Sequence, residues 1–111
     1  MKIKLCGIRR FEDISYVNEF KPDYIGFVFA QSKRQISADF AAKLKAKLDG
    51  GIKTVGIFVN SSLKETAHTA EKAGLNVIQL HGDENESFIS SLRNITDCEI
   101  WKAVRIRTAE D

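Results

Sequence analysis

Short apolar runs and longer stretches with apolar residues three and four apart take turns along this chain. The first pattern predicts strands and the second helices. The run 2–8, KIKLCGI, predicts a first strand. Ile14, Val17 and Phe20 then recur at helical spacing over 11–20, until Pro22 and Asp23 break the pattern. The run 24–30, YIGFVFA, is apolar nearly throughout, as expected of a strand covered on both faces. A second helix is predicted from an N-cap at Ser37, with Phe40, Leu44 and Leu48 inward and Gly50-Gly51 as its stop. Residues 53–60 predict a third strand. Ser62-Leu63-Lys64-Glu65 has the form of a capping box, and Gly74 that of a C-terminal cap after Ala73. A fourth strand over 76–82, a helix over 84–95 with Phe88, Ile89, Leu92 and Ile95 at helical spacing, and a fifth strand over 99–106 complete the series.

Strand centres fall near Leu5, Phe27, Ile57, Gln79 and Lys102, a repeat of structure rather than of sequence. Connections of this length imply right-handed crossovers and parallel strands, hence an α/β fold. Thr108-Ala109-Glu110-Asp111 reads as the start of a further helix. Five strands, four helices and a helix start are less than either a closed barrel or a finished open sheet. The expectation is therefore a single domain over 1–111 that is part of something longer.

Composition narrows the classes. With 43% hydrophobic and 29% charged residues among 111, the chain is of globular type. A net charge of +2, from 17 basic and 15 acidic residues, gives little reason to expect a nucleic-acid partner. No apolar stretch approaches the roughly 20 residues of a membrane span. The N-terminus lacks the apolar core of a signal peptide, and two cysteines make no disulfide framework, so a reducing cytoplasm is the expected setting.

In parallel α/β folds, ligand groups collect at the C-terminal strand ends. Those ends carry Cys6-Gly7, then Ser32-Lys33-Arg34, Asn60, Gln79 with His81-Gly82, and a residue near Arg105. A thiol, two cations, an amide and an imidazole on one rim suit a small anionic ligand. Each has a plainer reading. Cys6 can be apolar filler, Lys33 and Arg34 solvated loop charge, His81 a hydrogen-bonded structural histidine and Asn60 a turn residue. His68 is expected on the surface, Trp101 in core packing, and Cys98 in a structural role. Gly26 and Gly56, inside strands, point to crowding by a helix or a ligand. Nucleotide-binding glycine motifs, H-E-x-x-H, and Cys/His spacings for zinc do not occur.

Four segments, KLCGI at 4–8, IGFVFAQSKRQIS at 25–37, VGIFVN at 55–60 and VIQLHGDE at 77–84, occur in this order. Together they resemble the phosphoribosylanthranilate isomerases of tryptophan biosynthesis, over essentially the whole chain. The resemblance implies a (β/α)8 TIM barrel of about 200 residues, of which this chain covers β1-α1 through strand five. It implies an Amadori rearrangement of a phosphorylated aminoaldose of anthranilate, by general acid and base, with no cofactor and no metal. Cys6 falls on the family's base, Arg34 on the arginine that holds the anthranilate side, and His81 lines the same pocket. The family's general acid ends strand six, and its phosphate loops follow strands seven and eight. The 111 residues alone are thus expected to be inactive, with Asp111 not the acid. The alternatives are a small flavodoxin-like α/β binding domain or a bare barrel fragment. A receiver-like site would need paired acids where Cys6-Gly7 stands.

Overall fold

A computed structural model describes residues 2–102. Nine elements alternate: β1 (Lys4–Cys6), α1 (Phe11–Phe20), β2 (Tyr24–Val28), α2 (Ala38–Ala46), β3 (Lys53–Phe58), α3 (Leu63–Ala73), β4 (Val77–Leu80), α4 (Glu86–Arg93) and β5 (Glu99–Lys102). Arg105 and the helix start at Thr108–Asp111 lie outside the described residues.

The local signals act as their chemistry dictates. Ser37 and Ser62 accept from the backbone N–H groups of Phe40 and Glu65, both at 3.1 Å, satisfying amide groups at the starts of α2 and α3. Gly74 ends α3 in the left-handed region at φ 69°. In α1, the Asp13 carboxylate accepts from the N–H groups of Arg9 and Arg10, each at 3.2 Å. Two residues of the helical-spacing sets are not buried: Phe20 is 59% and Ile95 53% exposed. Phe20 lies beside the edge strand β1, with no helix beyond it among the described residues. Ile95 falls past the end of α4.

Strands β1 to β4 are shorter than predicted, and 103–106 of the predicted fifth strand lie outside the described residues. β1 stops at Cys6 because Gly7 turns to φ 78°, out of the extended region. β4 starts at Val77 because Asn76 turns its side chain onto Thr54.

All pairings are parallel, in the order β1-β2-β3-β4-β5. A flavodoxin-like sheet would place β2 at the edge, in the order 2-1-3-4-5; sequential order excludes that alternative and is the order of a barrel. Register puts Leu5, Ile25, Phe27, Phe58, Ile78 and Leu80 on the helix side. There all of these but the exposed Leu5 join Ile14, Val17, Leu44, Ala70 and Leu92 in one buried core. The opposite face carries Lys4, Tyr24, Val55, Val77, Gln79 and Trp101, with only a small apolar cluster.

That second face is concave. The Lys4 ammonium on β1 donates to the Gln79 side chain on β4. The rings of Tyr24 on β2 and Trp101 on β5 meet edge to face with centroids 5.1 Å apart. Across three strand spacings a flat sheet would hold these pairs about 14 Å apart. Only a sheet that curls toward this face brings them together.

Candidate active site

The C-terminal ends of the strands hold most of the predicted site. Cys6 closes β1 with an exposed thiol. Immediately after it, the N–H groups of Gly7 and Ile8 both donate to the Gly26 carbonyl, at 3.0 and 3.1 Å. These two hydrogen bonds to one acceptor and the positive φ at Gly7 turn the chain sharply off the sheet. A side chain at Gly26 would stand 3.2 Å from the Cys6 sulfur, so this glycine makes room for the thiol. Gly56 is crowded by Leu75 and Phe29. In both cases neighbouring side chains supply the crowding that was expected from a helix or a ligand.

Arg34 crosses directly above Gly7. A Cβ at Gly7 would meet the Arg34 Cδ at 2.7 Å and a terminal nitrogen at 3.2 Å. The loop carrying Arg34 is tied down by Arg9, whose guanidinium donates to the Lys33 carbonyl at 2.8 Å. Ser32 also accepts from the Arg34 N–H at 3.1 Å. The Arg34 guanidinium itself makes no hydrogen bond or ion pair among the described residues. A held arginine stem with its planar fork unspent, lying over the turn that follows Cys6, is suited to a carboxylate.

His81 follows β4 on the concave side, its N–H bonded to the Phe58 carbonyl at 2.9 Å. Its ring Nε2 lies 2.7 Å from the Gln79 amide nitrogen. Arg34 thus packs on the glycine that follows Cys6, and His81 stands on the same rim three strands along the curl. Lys33 contributes its backbone carbonyl. His68 is exposed and Trp101 packs on the concave face. The Cys98 thiol donates to the Leu75 carbonyl at 3.2 Å, a structural role.

Sequence reasoning missed Glu84 and Lys102. The Glu84 carboxylate is buried and accepts from the N–H of Asn60 and of Gly82, each at 2.8 Å, and from the Lys102 ammonium at 3.0 Å. Lys102 also donates to the Gly82 carbonyl. Asn60, at φ 52°, accepts from the Asp83 N–H at 2.7 Å. A Cβ at Gly82 would strike the Asn60 side chain at 2.5 Å. The ends of β3, β4 and β5 are therefore clamped through one carboxylate. Burial pushes the Glu84 carboxyl up, but the Asn60 N–H and then the Lys102 ammonium outweigh it and hold it below its ordinary 4.5. The signal was available: in VIQLHGDE an acid lies two residues past the strand-end glycine.

A cavity of about 680 Å3 opens at the opposite pole, between the end of α3 and the α4–β5 turn. Its place away from the strand ends separates it from this rim. Among the described residues, no group of three or more His, Cys, Asp or Glu side chains is placed to hold a metal ion. Nor is any described helix long and apolar enough to cross a membrane.

Parallel (β/α) units in sequential order, curled toward a concave face with unspent polar groups at the C-terminal strand ends, are the layout of the (β/α)8-barrel enzymes. The family model described as N-(5'phosphoribosyl)anthranilate (PRA) isomerase matches residues 3–111. The chain belongs to that family. It is 50% identical over 111 residues to N-(5'-phosphoribosyl)anthranilate isomerase of Thermoanaerobacter sp. (strain X514), covering 100% of this chain and 53% of that protein. Among solved structures, the phosphoribosyl anthranilate isomerase of Thermus thermophilus matches with a TM-score of 0.88 at 30% identity, over 96% of this chain and 52% of that one. A phosphoribosyl anthranilate isomerase in complex with reduced 1-(o-carboxyphenylamino)-1-deoxyribulose 5-phosphate matches with a TM-score of 0.90 at 32% identity, over 99% and 56%. The chain spans about half the length of the curated relatives it matches.

Proposed function

We propose that the protein carrying this chain is an N-(5-phosphoribosyl)anthranilate isomerase of tryptophan biosynthesis, and that Cys6 is its general base. Family membership supports the reaction. The observation that carries the assignment of Cys6 is its exposed thiol at a strand end, one residue before the Gly7 on which the Arg34 stem rests.

The chemistry asks for two proton transfers. An acid protonates the ribose ring oxygen, the C1–O bond breaks, and the nitrogen lone pair forms the Schiff base. A base then takes the C2 proton. The C–H electrons become the C1=C2 bond, the C=N electrons return to nitrogen, and the enolamine tautomerises to the aminoketose. Cys6 as thiolate takes the C2 proton, and a strand end gives it rigid placement. Arg34 grips the anthranilate carboxylate as a fork, and His81 lines the same side of the pocket. The resemblance assigns the acid and the phosphate loops to strands beyond the fifth. The 111 residues are thus one part of a single (β/α)8 domain and do not turn over substrate alone. The expected setting is the cytoplasm.

The test is consumption of the aminoaldose by the purified full-length protein, its mass verified, beside Cys6→Ala. The variant is expected to lose roughly 10²–10⁴-fold in kcat. A folded full-length protein that leaves the substrate untouched would sink the isomerase reading. Full activity in Cys6→Ala would sink the base assignment alone.

A further inference from the structure

We propose that Lys4 and Gln79 are positioning residues that lock His81 in the neutral tautomer with its proton on Nδ1, leaving Nδ1–H free to donate to a ligand carboxylate. That the ligand is the anthranilate moiety rests on the isomerase reading above; the tautomer does not.

Each step follows from what the groups can donate or accept. The Lys4 ammonium has three donors and no lone pair, so the Gln79 atom that meets it is the amide oxygen. The opposite orientation would set amide N–H against ammonium N–H. With its oxygen committed to Lys4, Gln79 presents its NH2 group to His81, 2.7 Å from the ring Nε2. An amide nitrogen donates and does not accept, so Nε2 must supply the lone pair. In a neutral imidazole the proton then sits on Nδ1. Free histidine in water prefers the other tautomer, so this arrangement works against the default.

Lys4 is itself held in place. Its ammonium lies 5.8 Å from the centroid of the Trp101 ring, within cation–π range. Trp101 is fixed by the edge of Tyr24 and by its indole N–H, which donates to the Glu99 carboxylate at 3.0 Å. A line of contacts therefore runs from β5 through Lys4 on β1 to Gln79 on β4 and ends at His81. His81 is exposed, and its Nδ1 has no partner among the described residues.

The readout is the nitrogen NMR spectrum of ¹⁵N-histidine-labelled full-length protein at pH 8, where an ordinary imidazole is neutral, with His81 assigned by its loss in His81→Gln. The expected result is a pyrrole-type Nδ1 and a pyridine-type Nε2. Gln79→Glu puts a carboxylate in place of the amide NH2 and is expected to invert the pattern. Lys4→Met frees the amide and is expected to yield a mixture. Both variants should also raise the KM for the aminoaldose on the order of tenfold, the size of one hydrogen bond to a charged group, with kcat little changed. An Nε2–H ring in the unaltered protein would overturn the proposal, as would a pattern unmoved by Gln79→Glu. The unaltered spectrum decides even if Lys4→Met does not fold. An Nδ1–H ring in a protein without isomerase turnover would overturn the functional reading and leave the lock standing. Turnover with an Nε2–H ring would do the reverse.

Discussion

The two ends of the strands treat polar groups in opposite ways. At the N-terminal ends, polar groups are spent on closing turns. The Asn76 side chain accepts from the Thr54 N–H at 2.9 Å and its hydroxyl at 3.2 Å, while the Asn76 backbone pairs with both Thr54 and Glu99. Asn18 bridges to the Lys47 carbonyl and the Asp49 N–H. The Lys45 ammonium covers the Gly74 carbonyl at the end of α3. At the C-terminal ends, by contrast, the fold holds side chains in place and leaves part of each unspent among the described residues: the Arg34 guanidinium, the His81 Nδ1 and the exposed Cys6 thiol. Arg34 is held through its loop and Gly7, His81 through Gln79, and Cys6 through the turn at Gly26. One end contributes stability and the other presents chemistry, the division expected of this fold. The Glu84 clamp is the exception that makes the rule work. It is a stability device at the chemical end, where open loops would otherwise leave His81 and Asn60 unfixed.

The sharpest break of this contrast is at Cys6. Cys6→Ala should remove the roughly 10²–10⁴-fold named above from kcat and leave the melting midpoint nearly unchanged, since the thiol is exposed. A large loss of stability in calorimetry would place Cys6 with the structural end instead. Glu84→Ala comes next. It strands the Lys102 ammonium and two N–H groups, and denaturant titration should show a loss of about 3 kcal/mol. At the other end, Asn76→Ala should cost about 2 kcal/mol by leaving the fully buried Thr54 short of an acceptor. Its kcat/KM per folded molecule should not change. Equal losses of activity in both variants would erase the distinction between the ends.

Gly7→Ala is smaller and more selective. A side chain there is strained at positive φ, by roughly 1–2 kcal/mol, and must displace the Arg34 stem. A raised KM is expected, with the anthranilate carboxylate the part of the substrate that senses it. The smallest effect is acid sensitivity. The folded-state pKa of Glu84 is depressed, so its contribution to stability is complete above the ordinary 4.5 and fades as pH falls through the lower folded value. Asp13 follows the same sign from its ordinary 3.8: burial raises it, while the Arg9 N–H and the Arg10 side chain outweigh that effect. Glu84→Gln should flatten the acid limb of a stability-against-pH curve. A limb of unchanged steepness would count against the clamp.

Much of this was legible along the chain because it depends on neighbours in sequence. Ser37, Ser62 and Gly74 act on backbone groups within a few residues of themselves, and Leu44 and Leu92 face inward by helical period alone. Strand ends were overestimated, because apolar character does not record where a side chain such as Asn76 or a turn such as Gly7 ends the pairing. That Cys6, His81 and the loop carrying Arg34 lie at the C-terminal strand ends was legible from the strand pattern. That Arg34 lies on Gly7 was not, since 27 positions separate them.

The sequence by itself determined the parallel βα series, the helix caps, the one-sided helical core and the set of side chains available at the strand ends. Those follow from periodicity and local hydrogen bonding. Only the tertiary structure decided which of those side chains meet. The curl of the sheet brings Lys4 of β1 onto Gln79 of β4, and the convergence of three strand ends brings Asn60, Gly82 and Lys102 onto Glu84. Such contacts depend on the sequential strand order and on curvature, which the whole sheet sets and no local stretch of residues encodes.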